Sequence, residues 1–230
     1  MNAITYGNDR LAEAEKLEKS VMGADRRARF WDRIAERYAK RPVADQAAYQ
    51  KKLEITREYF RPDMEVLELG CGTGSTAIEH ARWVKHIRAV DISSKMLEIA
   101  RRKAADKGVR NVTFERSAAD DMDVPDHSVD MVLAHSLLHL LENEQQMIAS
   151  VHCMLKPGGI FVSSTACLGD NMNWFRFIAP IGRVLGLIPR VQFFTVEELR
   201  NSLVKAGFEI EHQWRPGKNK AVFVVARKAA

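Results

Sequence analysis

Hydrophobic positions along this chain follow two periods. Over residues 9–60 they recur at helical spacing, with Leu11, Ala14 and Leu17 in one stripe and Phe30, Ile34, Ala35 and Tyr38 in another. Pro42, which cannot continue a helix, separates the second stripe from a further helix over about 44–60. Short strand-like runs then alternate with helical ones: MEVLEL, TAIEHARWV, HIRAV, SSKMLEIARRKAADKG, NVTFER, SVDMVLA, NEQQMIASVHCML and GIFVSST. Such alternation predicts right-handed crossovers and a mainly parallel sheet. LKPGG, residues 155–159, ends a helix with Pro and Gly and starts the fifth strand.

After that strand the pattern breaks at NMNWFRFIAPIGRVLGLIPRVQFF. Trp174, Phe175, Phe177, Ile178, Ile181, Val184, Leu185, Leu187 and Ile188 crowd together there, while Arg176, Arg183 and Arg190 recur every seventh position. On a helix these arginines would mark a polar edge beside a broad apolar face, bent or divided by Pro180 and Pro189. Three roles stay open: a lid over an apolar acceptor, a segment resting on a membrane with arginines toward the lipid phosphates, or a dimer contact or plain core. TVEELRNSLVKAG follows as a helix, with Thr195 and Glu198 in capping-box positions and Gly207 at its end. FEIEHQW and KAVFVVAR alternate as two closing strands, joined through a hairpin at RPGKN.

Composition narrows the class. With 230 residues, 46% apolar and 28% charged, the chain suits one soluble α/β domain with extra helix. Its net charge of +5 leans toward an anionic partner. Much of the excess precedes residue 61, where Arg26, Arg27, Arg29, Arg33, Arg37, Lys40, Arg41, Lys51 and Lys52 interleave with acids and read as a solvated helix face. Cys71, Cys153 and Cys167 have no metal-ligand spacing and are too few for a disulfide framework. The N-terminal residues lack the apolar core of a signal peptide, and no apolar run reaches a membrane span. The expected compartment is the cytoplasm, with peripheral contact at the inner membrane surface open through 173–190.

Candidate chemistry concentrates in VLELGCGTGS, residues 66–75, where a strand runs into Gly70, Gly72 and Gly74. A dinucleotide fingerprint counted from Gly70 needs Gly or Ala at position 75, but Ser75 stands there and the third glycine comes one residue early. No Gly-Lys-Ser/Thr follows, against a phosphate loop. Glu68, two residues before the first glycine, would repel dinucleotide phosphates and suits a ligand with an ammonium group and a sulfonium. Backbone N–H groups of the turn and of the next helix start suit a carboxylate. Methionine joined through sulfur to adenosine has those groups.

At these residues the sequence resembles the class I S-adenosylmethionine-dependent methyltransferases. VLELGCGTG matches that family's first motif, AVDIS at 89–93 the second, VDMVLAHSLLHLL the fourth-strand motif and MLKPGGIFVSS the fifth. The resemblance runs from about residue 62 to 164, and the order of the elements after it extends it to the C-terminus. It implies a Rossmann-like α/β fold: seven mainly parallel strands in order 3-2-1-4-5-7-6, the last antiparallel, with helices on both faces. Residues 1–61 would form a helical cap, and 62–230 the catalytic domain with a lid-like insert at 170–194. The implied cofactor is S-adenosyl-L-methionine, leaving as S-adenosyl-L-homocysteine. Glu68, Gly70, Cys71, Gly72, Thr73 and Gly74 would cradle it, and Asp91 would take the ribose hydroxyls, since a carboxylate accepts both O–H donors. Ile92 and Met96 would lie against the adenine. Relatives often read Gly-Asp-Ala after the third strand, where this chain has Ser117-Ala118-Ala119. Either Asp120 takes the adenine amino group, or the backbone around Ala118 and Ala119 reads that edge; Asp120 and Asp121 as solvated loop acids is the plainer alternative.

His135 and His139 follow the fourth strand at the sheet's carboxyl edge, where ligands of open α/β sheets bind. His135 suits the donor pocket; His139 is either a general base or a residue orienting its loop. Tyr38 resembles the N-terminal tyrosine that closes over the cofactor in the ubiquinone and menaquinone C-methyltransferases, and equally suits core filler. No Asn/Asp-Pro-Pro-aromatic run follows strand four, and no Pro-Cys pair is present, so a small, apolar or amphiphilic acceptor is favoured over nucleic acid. The rival readings are an RNA methyltransferase using the basic N-terminal helices, and a non-catalytic module that keeps the cofactor fold to bind a partner or membrane.

Overall fold

The computed structural model describes residues 26–170, 188–189 and 191–229. The Leu11–Leu17 stripe and nearly all of the arginine-bearing insert lie outside those residues. Two N-terminal helices are described, α1 over residues 26–39 and α2 (Gln46–Arg57), the latter capped by Asp45, whose side chain accepts from the Ala48 N–H. The alternating region forms β1 (Glu65–Leu69), α3 (Ser75–His80), β2 (His86–Asp91), α4 (Ser94–Asp106), β3 (Val112–Arg116), β4 (Val129–His135), α5 (Glu144–Met154) and β5 (Leu155–Thr165). Next come α6 (Val196–Lys205), with the complete Thr195–Glu198 capping box, β6 (Phe208–Trp214) and β7 (Val222–Lys228).

One seven-stranded sheet results, in the expected order β3-β2-β1-β4-β5-β7-β6, with β7 antiparallel to both neighbours. Alternate residues of its central strands face opposite layers. Val66, Met131, Leu133, Ile160, Val162, Phe223 and Val225 meet Ile55 of α2, Ala77 of α3 and Leu97 of α4. Leu67, Leu69, Val132, Phe161, Val222 and Val224 meet Ile148 and Val151 of α5 and Leu199 and Leu203 of α6. Each of these Val, Leu, Ile, Phe and Met side chains, when fully buried, contributes about 1.5–3 kcal/mol of transfer free energy.

Four local expectations need correction. β7 does not alternate: six of its seven residues are buried, because it lies inside the sheet between β5 and β6, whereas β6, at the edge, does alternate. LKPGG belongs to β5 itself. Leu155 pairs with Val129 and Ile160 with Met131, so four residues of β5 bulge opposite one of β4, with Gly158 at φ +72° and Pro157 spared a ladder N–H. The helix read through TAIEHARWV stops at His80, and Ala81–Trp83 form a single 3-10 turn. The basic N-terminal run is also more than a solvated face. Arg27 reaches Asp120 from α1 with both terminal nitrogens, at 2.8 and 3.1 Å, and Lys52 points from α2 to the sheet.

Helix α1 lies across α4, where Ala35, Trp31, Ile34 and Ala39 pack on Met96 and Ile99. Its Asp32 accepts from the Ser93 hydroxyl at 2.6 Å and from the Lys95 N–H at 3.0 Å, closing the N-terminus of α4. The chain segments flanking the insert are tied to each other. The Gly169 N–H donates to the Phe194 carbonyl at 3.0 Å, and Asp170 accepts from the Val196 N–H and pairs with Arg215.

Candidate cofactor and acceptor site

The site forms where β1, β2 and β4 end. Gly70, Gly72 and Gly74 all have positive φ, between +53° and +71°, which an L side chain rarely adopts. Their surroundings differ. A Cβ on Gly74 would lie 2.8 Å from both Ala100 and Phe114, so this glycine lets α3 pack against α4 and β3. On Gly70 it would meet the flexible end of Leu137. On Gly72 it would meet nothing within 4 Å, so this backbone alone of the three faces open space.

Two acids flank the turn. Asp91 accepts from the Gly72 N–H and from the Ser93 N–H, each at 2.8 Å on a different oxygen. The Ile92 N–H also acts on this carboxylate, whose roughly four lone-pair sites still leave capacity for a ligand hydroxyl. Burial, with the charge of Asp32 as a smaller contribution, raises its pKa from its ordinary value. Glu68 is 2% exposed and takes the Ala77 N–H of α3, but its Oε2 is buried with no hydrogen-bond partner. Burial pushes its pKa up to about 8, the nearby Asp91 charge adding to the effect. A buried, half-satisfied acid beside a second acid calls for a cation, and the open face of Gly72 gives backbone room beside them. These features fit an adenosyl amino acid with a sulfonium and an ammonium group.

The other expected residues are placed as follows. Cys71 is buried in the turn, its N–H bonded to the Val90 carbonyl, and burial raises its thiol well above the ordinary value. The Thr73 hydroxyl accepts from Lys103 of α4 at 2.9 Å. Ile92 is half-buried after β2, whereas Met96 is 2% exposed beneath α1. Ala118 and Ala119 are half-buried, and Asp120 has both carboxylate oxygens on Arg27. Tyr38 is 47% exposed at the C-terminal end of α1, near enough to Asp91 for that charge, after burial, to raise its pKa.

His135 ends β4, half-buried, and its pKa falls to about 4 through burial and then the charge of Lys52. His139 sits in the next turn, its Nδ1 buried without a partner and burial lowering its pKa to about 4. Its carbonyl accepts the Gln192 N–H at 2.7 Å, which brings the segment following the insert to this edge of the site.

Two residues went unrecognised in the sequence. His80 at the end of α3 is fully buried with both ring nitrogens unpartnered, and its ring meets Phe60 edge-on at 4.9 Å. Burial first, then His135 and Arg57, lower its pKa to about 3. Lys52 donates from Nζ to the Ser164 hydroxyl at 2.7 Å, and desolvation lowers its pKa. Among the described residues no group of three or more His, Cys, Asp or Glu stands ready to hold a metal, and no helix is long and apolar enough to cross a membrane.

Comparison with known proteins agrees with this geometry. Residues 66–159 match a family described as a methyltransferase domain. The chain is 28% identical over 186 residues to a demethylmenaquinone methyltransferase of Symbiobacterium thermophilum, covering 76% of this chain and 72% of that protein. It is 34% identical over 113 residues to a ubiquinone/menaquinone biosynthesis C-methyltransferase of Shewanella pealeana, covering 47% of this chain and 45% of the other. Thus the match spans under half of that second relative. An S-adenosylmethionine-dependent methyltransferase from Mesorhizobium loti superposes with a TM-score of 0.66 at 24% identity, covering 80% of this chain and 99% of that one, a likeness of fold.

Proposed function

From the premise that this chain is a class I S-adenosylmethionine-dependent methyltransferase related to the ubiquinone/menaquinone C-methyltransferase group, we propose that it methylates a small, lipophilic, quinone-type acceptor. The observation that carries donor binding is the orphaned Glu68 Oε2, buried behind a glycine turn whose Gly72 faces open space. The acceptor class rests on the relatives' names and on the apolar character of the insert.

When bound, S-adenosylmethionine supplies a methyl group activated by its sulfonium leaving group. The chain's own residues hold and orient. Asp91, fixed by backbone amides, would take the ribose hydroxyls with its remaining lone-pair capacity. Glu68 opposes the ligand's positive charge, and its ionisation is drawn out by that charge. Asp32 fastens α1 to the start of α4 and Arg27 fastens it to Asp120, an arrangement that would hold Tyr38 over the adenosyl end near Asp91. His135 is uncharged at neutral pH and would add no positive charge to the site. The remaining task is to align the acceptor with the methyl and keep water out.

Isothermal titration with S-adenosylhomocysteine tests the donor half. Turnover with hydroquinones lacking a ring methyl, followed by mass spectrometry of the product, tests the acceptor half. Submillimolar binding and a methylated ring are expected. Donor binding together with turnover only on polar, non-aromatic acceptors would refute the quinone assignment.

A further inference from the structure

We propose that Lys52, seated on Ser164 beside His135, is the acceptor-binding residue that holds an ionised ring hydroxyl of the substrate. This inference rests on the donor and acceptor reading given above and assigns one of its residues.

His135 and Ser164 are register partners on the adjacent strands β4 and β5. They lie two residues beyond Leu133 and Val162, on the sheet face that carries α2 and α3. Leu133 pairs in turn with Glu68, so the Lys52 cluster stands one step past the donor-facing acid, toward the carboxyl edge. Lys52 enters this row from α2, and its Nζ reaches the buried Ser164 hydroxyl at 2.7 Å.

An ammonium has three donors, and this contact uses one. No carboxylate among the described residues lies within ion-pair distance of Lys52. Asp45 acts on it only through its longer-range field, and its Oδ1 already caps α2. His135, held neutral, offers no counter-charge. A half-buried cation without an anion is electrostatically incomplete, and a ligand oxyanion completes it. The residue's lowered pKa reflects the same desolvation.

The chemistry of ring methylation needs such a group. The acceptor's O–H bond breaks beside the ammonium, which lowers the hydroxyl's pKa, and the proton leaves to solvent. The oxygen's electron pair, shared with the neighbouring ring carbon, forms the new carbon–methyl bond as the sulfur–methyl pair returns to sulfur. The ring C–H proton then passes to solvent water, and its electron pair restores aromaticity. Lys52 stabilises the charge that drives the attack, and remains a protonated amine throughout.

The test uses the full chain loaded with S-adenosylhomocysteine and titrated with lawsone, an acidic hydroxynaphthoquinone, and with its methyl ether. The visible absorbance of lawsone reports its ionisation. The wild-type chain is expected to bind lawsone about tenfold or more tightly than the ether and to lower its pKa by about one unit. Lys52→Met should erase both effects with S-adenosylhomocysteine affinity unchanged, which also shows that the variant is folded. Lys52→Arg should retain most of the preference. A preference that survives Lys52→Met, or a wild-type chain that binds neither naphthoquinone, overturns the inference. Failure of S-adenosylhomocysteine to bind the wild-type chain would instead overturn the donor reading beneath it.

Discussion

Glu68→Gln should stabilise the empty protein at high pH while weakening its hold on the donor. In the folded chain this carboxyl titrates at about 8, against 4.5 when free. Between those values the folded state keeps a proton that the unfolded state has released, so stability falls as pH rises, by about 1.4 kcal/mol per pH unit. The contribution is fully present below the unfolded pKa and is lost by the time pH has risen through the folded one. Its total is on the order of a few kcal/mol, and 1 kcal/mol shifts Tm by about 2–4 °C in a chain of this size. Glutamine does not titrate, and its side-chain carbonyl can still accept from the Ala77 N–H. Asp91 also has a raised pKa, but it is common to both proteins and cancels in the difference. Thermal unfolding by circular dichroism, from about pH 4 to about pH 8, should show the variant's Tm drawing progressively ahead of the wild type as pH rises. With S-adenosylmethionine present the order should narrow or invert, because the wild type alone has an anion for the cation; the affinity loss should be about tenfold to a hundredfold. A Tm difference that does not change with pH, or a variant less stable at high pH, would refute the assignment of a buried, ligand-free acid.

Further expectations separate the parts of the cradle. Gly74→Ala should destabilise the fold by about 1–3 kcal/mol, because the new Cβ at φ +71° meets Ala100 and Phe114; denaturant melts measure this. Gly72→Ala should cost less stability, since its Cβ enters open space, yet should lower donor affinity more than a comparably placed surface change; equal losses in both assays would contradict the distinction. Asp91→Ala should weaken S-adenosylhomocysteine binding by about tenfold to a hundredfold in calorimetry, and an unchanged Kd would remove it from the ribose site. Arg27→Ala frees Asp120 and loosens α1; hydrogen exchange across 26–39 should quicken, and unaltered protection would show that the packing on Met96 suffices alone.

Much of this architecture was legible in the chain because its signals are local. The strand-to-glycine turn, the acid closing β2, and the Thr195–Glu198 cap each combine residues close in sequence, and each recurs in the structure. What the sequence did not disclose depends on distant neighbours. Six buried residues in β7 follow from its place between β5 and β6, which a run of seven letters does not disclose. Met96 fits the adenine side of its loop by position, yet α1, more than fifty residues earlier, covers it; Asp120 likewise meets Arg27 across 93 residues. Lys52 was hidden among interleaved charges on an exposed-looking helix. Only β5, 112 residues on, marks it as inward. His80 has no motif to reveal it, and only its complete burial does.

The paired anchorage at Gly169–Phe194 and Asp170–Val196 holds the two ends of the insert together on the domain. With its ends held together, a change in length of the chain between them carries a small closure cost, about 0.6 kcal/mol per doubling. Grafts of a foreign segment between Asp170 and Val191, which leave the Gln192 contact with His139 in place, should therefore melt and bind S-adenosylhomocysteine as the parent does. Loss of the parent's donor affinity in such grafts would show that the two halves of the enzyme are not separable.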